Sequence, residues 1–313
     1  MSYRLKPSEP LDAAVRRLSR GQIGRNRVAP SRGAAAAAWV HETRKSLKRL
    51  RAVLRLVRFG LAKKDWRRAN DELRDIGRQL SALRERDVLP QSVAALRQIA
   101  ATDAAAALDR FLVQLDEAPN SSGRKRTPVR LTEVSKALHA ADTHLGHLDL
   151  TGSSRKTLSD GLAATHRAGQ RALAAVQGDA TDDAMHDLRK VVQIHWRQMQ
   201  LLEPGWPEML RVRVTTSKNL AQSLGEHHDL AMIVHAARGA ATAGLAAADV
   251  EQIEAACRRA QAAIEVRTLP SIARLFAADP QAFAAEIIAY WDLADAPTET
   301  PPRRKNKVKS DIG

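Results

Sequence analysis

Cysteine is all but missing from this chain: Cys257 stands alone among 313 residues. A single thiol excludes an intramolecular disulfide and a cysteine-rich metal site, and it fits a reducing compartment. Aromatic residues make up only 4%, too few to suggest a base-stacking platform, and no zinc finger or RNP-like run occurs. No stretch approaches the roughly 20 uncharged apolar residues that cross a bilayer. The N-terminal MSYRLKPSEPLDAAVRRL lacks the apolar core of a secretory leader, so a soluble, cytoplasmic protein is expected. There is no G-x-x-x-x-G-K-[ST] loop for a nucleotide and no E-x-E-x-K signature of a triphosphatase barrel. Runs rich in β-branched residues are also scarce, which leaves little room for strands.

What is present is helical and basic. Ala, Leu, Arg and Gln dominate, and helical periodicity runs from Leu11 to about Leu293. Pro90, Pro204 with Gly205 and Pro207, Pro270 and Pro280 punctuate these runs without interrupting them. The polar stretch EAPNSSGRKRTPVR at 117–130 reads as a linker, and 297–313, ending in PPRRKNKVKSDIG, as a disordered basic tail. The formal charge is +15, and it is unevenly spread: residues 1–130 hold 29 Lys and Arg against 13 Asp and Glu, residues 131–313 hold 21 against 22. Such asymmetry points to an anionic partner.

The densest positive feature is a stripe. His41, Arg44, Lys48, Arg51, Arg55 and Arg58 recur at steps of three and four, which places them on one face of an α-helix. The neighbouring frame of Val40, Leu47, Leu50, Leu54 and Val57 is apolar, so the helix is amphipathic with an almost purely cationic polar side. Like charges one turn apart repel by a few tenths of a kcal/mol per pair, and Glu42 is the one acid interspersed. A polyanion lying along the stripe would relieve that repulsion.

The chain also repeats itself. HETRK at 41–45 opens one helix and HDLRK at 186–190 another, 145 residues apart. LSALRERDVL at 80–89 and LAQSLGEHHDL at 220–230 follow them, with Asp87 and Asp229 142 residues apart. Arg16, Arg17 and Arg20 precede the first copy, and Arg167 and Arg171 precede the second. Two pseudo-symmetric helical units are the natural reading: 1–116 and 131–296.

These paired elements resemble the CHAD family, the conserved histidine α-helical domain, over roughly residues 10 to 290. The matching residues are His41, Arg44, Lys45, Lys48 and Arg51 with Asp87 in the first copy, and His186, Arg189, Lys190, His228 and Asp229 in the second. The resemblance implies an all-α fold of two four-helix bundles around a basic central channel. It implies binding of inorganic polyphosphate, without catalysis or a cofactor, and so association with polyphosphate granules. Arg55, Arg167 and Arg171 join the expected lining. The second copy departs from the pattern: Gln193, Trp196 and Gln200 stand where Lys48, Arg51 and Arg55 would repeat. Arg155, Lys156, His166, Arg167, Arg171, Arg211, Arg213 and Lys218 are candidates to compensate.

The chemistry agrees with that expectation. A phosphate chain offers oxygens as acceptors and charge at every link, which Arg forks and Lys ammonium groups match. His41 and His186 lie one turn before Arg44 and Arg189, placed either to donate to phosphate or to buttress the chain through local hydrogen bonds. Asp87 and Asp229 are read as carboxylates that orient an Arg or His. A metal site at Glu226–Asp229 is the alternative, weakened because adjacent helical residues diverge by about 100° and no H-x-x-x-H pair occurs. Two other functions remain open: a general polyanion or nucleic-acid binder working through the backbone, and an enzyme on polyphosphate or triphosphate, which would want clustered carboxylates for Mg²⁺.

Overall fold

Five consecutive alanines, Ala34–Ala38, have the strongest intrinsic preference for helix, and they start a helix two turns ahead of His41. The computed structural model describes residues 3–30, 33–117 and 130–295, with the side chains of 82–87 excepted. Ten α-helices form in chain order among these residues: α1 (Leu11–Ile23), α2 (Ala34–Val57), α3 (Lys63–Arg97), α4 (Thr102–Glu117), α5 (Leu131–Gly146), α6 (Ser154–Gly178), α7 (Asp182–Leu202), α8 (Pro207–Ala241), α9 (Ala247–Leu275) and α10 (Pro280–Asp295). Among the described residues all regular structure is helical, as expected. His41 and His186 therefore sit inside α2 and α7 rather than opening them. The segment 117–130 between α4 and α5, apart from its two end residues, and the tail 297–313 lie outside the described residues.

The helix ends follow local chemistry. Thr181 caps α7 by accepting from the Ala184 N–H at 3.2 Å, with Asp182 and Asp183 in the first turn. Ser153 caps α6 in the same way. Pro207 and Pro280 occupy first helical positions, where a missing N–H costs nothing. Pro90 and Pro270 lie inside α3 and α9. Each forfeits one backbone hydrogen bond, and buried residues on both sides (Leu80 and Val93, Ile264 and Ile272) hold the helix together.

The repeat is visible in the architecture. α2 and α7 both end in a short 3₁₀ turn, Arg58–Gly60 and Glu203–Gly205, and both lead into a helix of 35 residues, α3 and α8. α5 and α10, each of 16 residues, form a further matching pair. By its packing partners α5 goes with the first set, since it lies on α1 and α3, as α10 lies on α6. Each half thus carries a fifth helix beside the expected four. Counterpart helices touch one another: α2 meets α7, α3 meets α8, and α4 meets α9. That self-pairing is the mark of a pseudo-twofold axis between the halves.

The halves share their interior. One apolar cluster joins Leu50, Leu54 and Leu73 to Leu162, Leu201 and Phe283. A second lies where α3 and α8 run out to meet α4 and α9, around Val93, Phe111, Ile233 and Cys257. At about 1.5 Å per residue a 35-residue helix spans some 50 Å, so α3 and α8 link the two clusters. Between α4 and α9 the Arg110 guanidinium clasps the Asp249 carboxylate, with Nε to Oδ2 at 2.8 Å. A third cluster, around Leu188 and Phe276, belongs to the second half alone.

Candidate functional site: a cationic cleft between the halves

The stripe of α2 fans its cations in two directions. Arg44 donates to the Ser81 hydroxyl at 2.8 Å and lies 3.4 Å from the Gly77 carbonyl, both on α3. Arg51 reaches Asn70 of the same helix at 3.4 Å and stands near Arg74 and Arg78. Lys48 turns instead toward α7, into the field of Arg189 and Arg197. His41 is exposed.

Across the pseudo-axis Arg189 occupies the place of Arg44. Its guanidinium fills the space left by a missing side chain at Gly225 of α8, where an added Cβ would stand 3.4 Å from Nη2. Arg44 rests against a serine on α3 and Arg189 against a glycine on α8, each in a 35-residue helix. The Nε of Arg189 is buried with no hydrogen-bond partner. Asp229 faces this group: its charge favours the protonated forms of both Arg189 and Lys48. Its proposed counterpart, Asp87, lies outside the residues whose side chains are described.

Like charges and desolvation shape the electrostatics. Lys48 is open to solvent on one side, yet the protein around it strips enough hydration to push its ammonium pKa down to about 7, with Arg189, Arg197 and Arg44 adding to the fall. Burial also holds Arg189, Arg51 and Arg55 below the ordinary arginine value, and neighbouring guanidinium groups reinforce this. His186 of α7 stacks on His228 of α8, ring centroids 4.4 Å apart. Burial, then Arg189 and His186, push the His228 pKa down to about 4. His186 is lowered chiefly by burial, then by Lys190 and Arg189, and its Nδ1 has no hydrogen-bond partner. Burial and like charge thus disfavour the protonated forms of both imidazoles and of Lys48.

Lys48, Arg55, Arg58, Arg167, Arg171 and Arg189 form no ion pair among the described residues. The outer cations do. Lys45 sits 3.3 Å from Glu42 and Lys190 2.8 Å from Asp187, and Arg17 pairs with Glu9 at 2.6 Å. Of the residues named to compensate for the thinned second copy, Arg155, Lys156 and Arg211 face Asp292, Asp160 and Glu203. Arg213 lies over the Phe283 ring at 4.8 Å, and His166 is buried, with its Nε2 3.0 Å from the Ala278 carbonyl. Arg167 and Arg171 of that set meet the stripe, lining a recess with Arg55 and Arg58.

One residue of the cleft escaped the sequence pattern. Arg197 is only 6% exposed, donates to the Gln193 carbonyl at 2.9 Å and lies over the Trp196 ring at 4.5 Å. Burial pushes its pKa down to about 10, helped by Arg49 and Arg189. In the first copy its place is held by Ala52, so no repeat argument could find it. The alternative metal site is not assembled. His227 turns to Glu265 of α9 at 2.8 Å while His228 turns to His186, and no group of three metal-competent side chains occurs among the described residues. No helix among those residues is long and apolar enough to cross a membrane.

Comparison with known proteins gives matches of two kinds. A family model described as CHAD domain matches residues 20–238. Among solved structures, the crystal structure of the CHAD domain from the plant Ricinus communis superposes with a TM-score of 0.58 at 20% identity, covering 89% of this chain and 94% of that one. At that identity the likeness concerns the fold alone. No curated protein matches the chain.

Proposed function

The chain belongs to the CHAD domain family, and from that premise we propose that it binds inorganic polyphosphate, without catalysis, in the cleft between its halves. One observation carries the reading: cations from both halves (Lys48 on α2, Arg189 and Arg197 on α7) stand within one another's field, where burial and like charge lower the pKa of Lys48 and Arg197 and burial lowers that of Arg189. Holding desolvated like charges together opposes folding, and a bound polyanion reverses the sign of that term. A phosphate chain presents acceptors alone and suits donors that lack carboxylate partners. Binding proceeds largely by counterion release and weakens steeply with salt. Such a protein would collect on polyphosphate deposits.

Titration with long-chain polyphosphate at several salt concentrations, with duplex DNA and RNA as competitors, tests this. The expected result is tight, salt-steep binding that nucleic acid displaces poorly. Replacing Lys48 by Met and Arg189 by Gln together is expected to weaken binding at least tenfold. It should also flatten the log–log salt slope by about 1.4, at roughly 0.7 per contact for a single-stranded polyanion. Unchanged affinity in that variant places the site elsewhere, and equal displacement by DNA reduces the protein to a general polyanion binder.

A further inference from the structure

The recess at the C-terminal end of α2 differs in kind from the cleft. It has a volume of about 210 Å³ and is ringed by Arg55 from α2, Arg58 from the 3₁₀ turn that follows it, and Arg167 and Arg171 from α6, over a floor that includes Val191 and Ile194. By helix rise it lies roughly 10–15 Å along α2 from Lys48. None of the four guanidinium groups pairs with a carboxylate among the described residues, the Nε of Arg55 is buried without a hydrogen-bond partner, and Arg58 and Arg171 repel one another.

Its shape has an identifiable cause. α2 and α6 meet backbone to backbone beside it: a Cβ added at Gly161 would stand 1.9 Å from the Leu56 carbonyl oxygen. That contact closes the gap between the two helices next to Arg55. A chain entering there cannot continue between α2 and α6. Four planar forks around a partly apolar pocket, closed on the side where α2 meets α6, suit a compact group with acceptors on several sides. A terminal phosphate supplies three unbridged oxygens and a second charge near neutral pH, where an internal phosphate supplies two oxygens and one charge.

We infer that this recess is a second, separate site, which takes the terminal phosphate of a short oligophosphate. The inference rests on the polyphosphate reading above and sharpens it: the cleft holds chain, the recess holds an end. Arg58, Arg167 and Arg171 are solvent-exposed, so their replacement leaves the packing intact.

Calorimetric titration of the full chain with sodium tripolyphosphate is the test. Wild type is expected to bind. Arg167→Ala with Arg171→Ala should lose at least tenfold in affinity, Arg55→Gln from the opposite wall a comparable amount, and Lys48→Met less than threefold. Long-chain polyphosphate is then used to displace bound tripolyphosphate, with its ends free or blocked as phosphoramidates. Displacement by free-ended chains alone supports the inference and identifies the occupant as a chain end. Displacement by neither supports it with free oligophosphate as the occupant. Equal displacement by both overturns it, because the recess is then a stretch of one continuous track. It is also overturned if the Arg167/Arg171 variant binds tripolyphosphate like wild type while long chains still bind. Failure of both long and short chains to bind wild type defeats the parent reading instead.

Discussion

Lys48 shows what the cleft costs and what it gives. Its folded pKa, about 7, lies well below that of a free lysine, so the unfolded chain binds more protons between pH 7 and 10 and stability rises with pH across that window. Replacing it by Met, of similar length and no charge, is expected to raise Tm by about 1–3 °C at pH 7 while weakening polyphosphate binding, a trade of stability against function. The gain should shrink toward pH 10, where wild-type Lys48 is neutral; differential scanning calorimetry of both proteins from pH 7 to 10 reads it directly. Binding has the opposite proton balance. A polyanion beside Lys48 favours the ammonium, so complex formation takes up a proton, and affinity is expected to increase several-fold from pH 8.5 to 6. His228 and His186, whose pKa values burial also lowers, act in the same direction at the acid end. Lys48→Arg, charged throughout that range, should flatten the profile above pH 7; a slope unchanged by that variant would assign the proton to another group.

At the scale of elements, the contact between α2 and α6 decides where the arginines meet. Gly161→Ala adds a methyl group in collision with a main-chain carbonyl, which no rotamer change can relieve. The expected loss of stability is about 1–3 kcal/mol, more than offsetting the intrinsic helix preference gained, together with weaker tripolyphosphate binding as the recess opens. Circular dichroism melts and calorimetry measure the two effects. The same contact explains how far the sequence could be read. A period of three and four residues identifies the cationic face of α2, and the doubled H-x-x-R-K identifies the pairing of α2 with α7, because both are properties of one helix and its copy. Periodicity says which side of a helix is apolar but not which partner covers it. The meeting of Arg55 and Arg58 with Arg167 and Arg171 depends on one glycine among 16, and nothing local marks Gly161 as the one that matters. Arg197 was hidden differently. It follows Trp196 and has alanine as its counterpart, so comparison of the copies at 48, 51 and 55 finds only Gln193, Trp196 and Gln200 and makes the second face look emptier than it is.

For the whole molecule, the shared interior and the shared cleft make the halves one thermodynamic unit. Leu50 and Leu54 of one half and Leu201 and Phe283 of the other lie in a single cluster, so neither half can unfold without exposing apolar surface of its neighbour. A single cooperative thermal transition is expected, seen alike by near- and far-ultraviolet circular dichroism. Because the cations belong to both halves, the proposed polyphosphate ligand is expected to bind the assembled protein and to have little structured target in the unfolded one. Unfolding scatters Lys48, Arg189 and Arg197, and a diffuse cation cloud holds a polyanion more weakly than a convergent one. At a free ligand concentration one hundred times Kd the native state gains about 2.7 kcal/mol, which for a chain of this size corresponds to an upward shift in Tm of roughly 5 °C. In about 1 M salt counterion release no longer favours the complex and the shift should vanish, while the ligand-free Tm moves up as the screened cations cease to repel. Melting curves at low and high salt, with and without long-chain polyphosphate, separate the two effects. A ligand shift that survives high salt would mean that the cleft holds its partner by something other than charge.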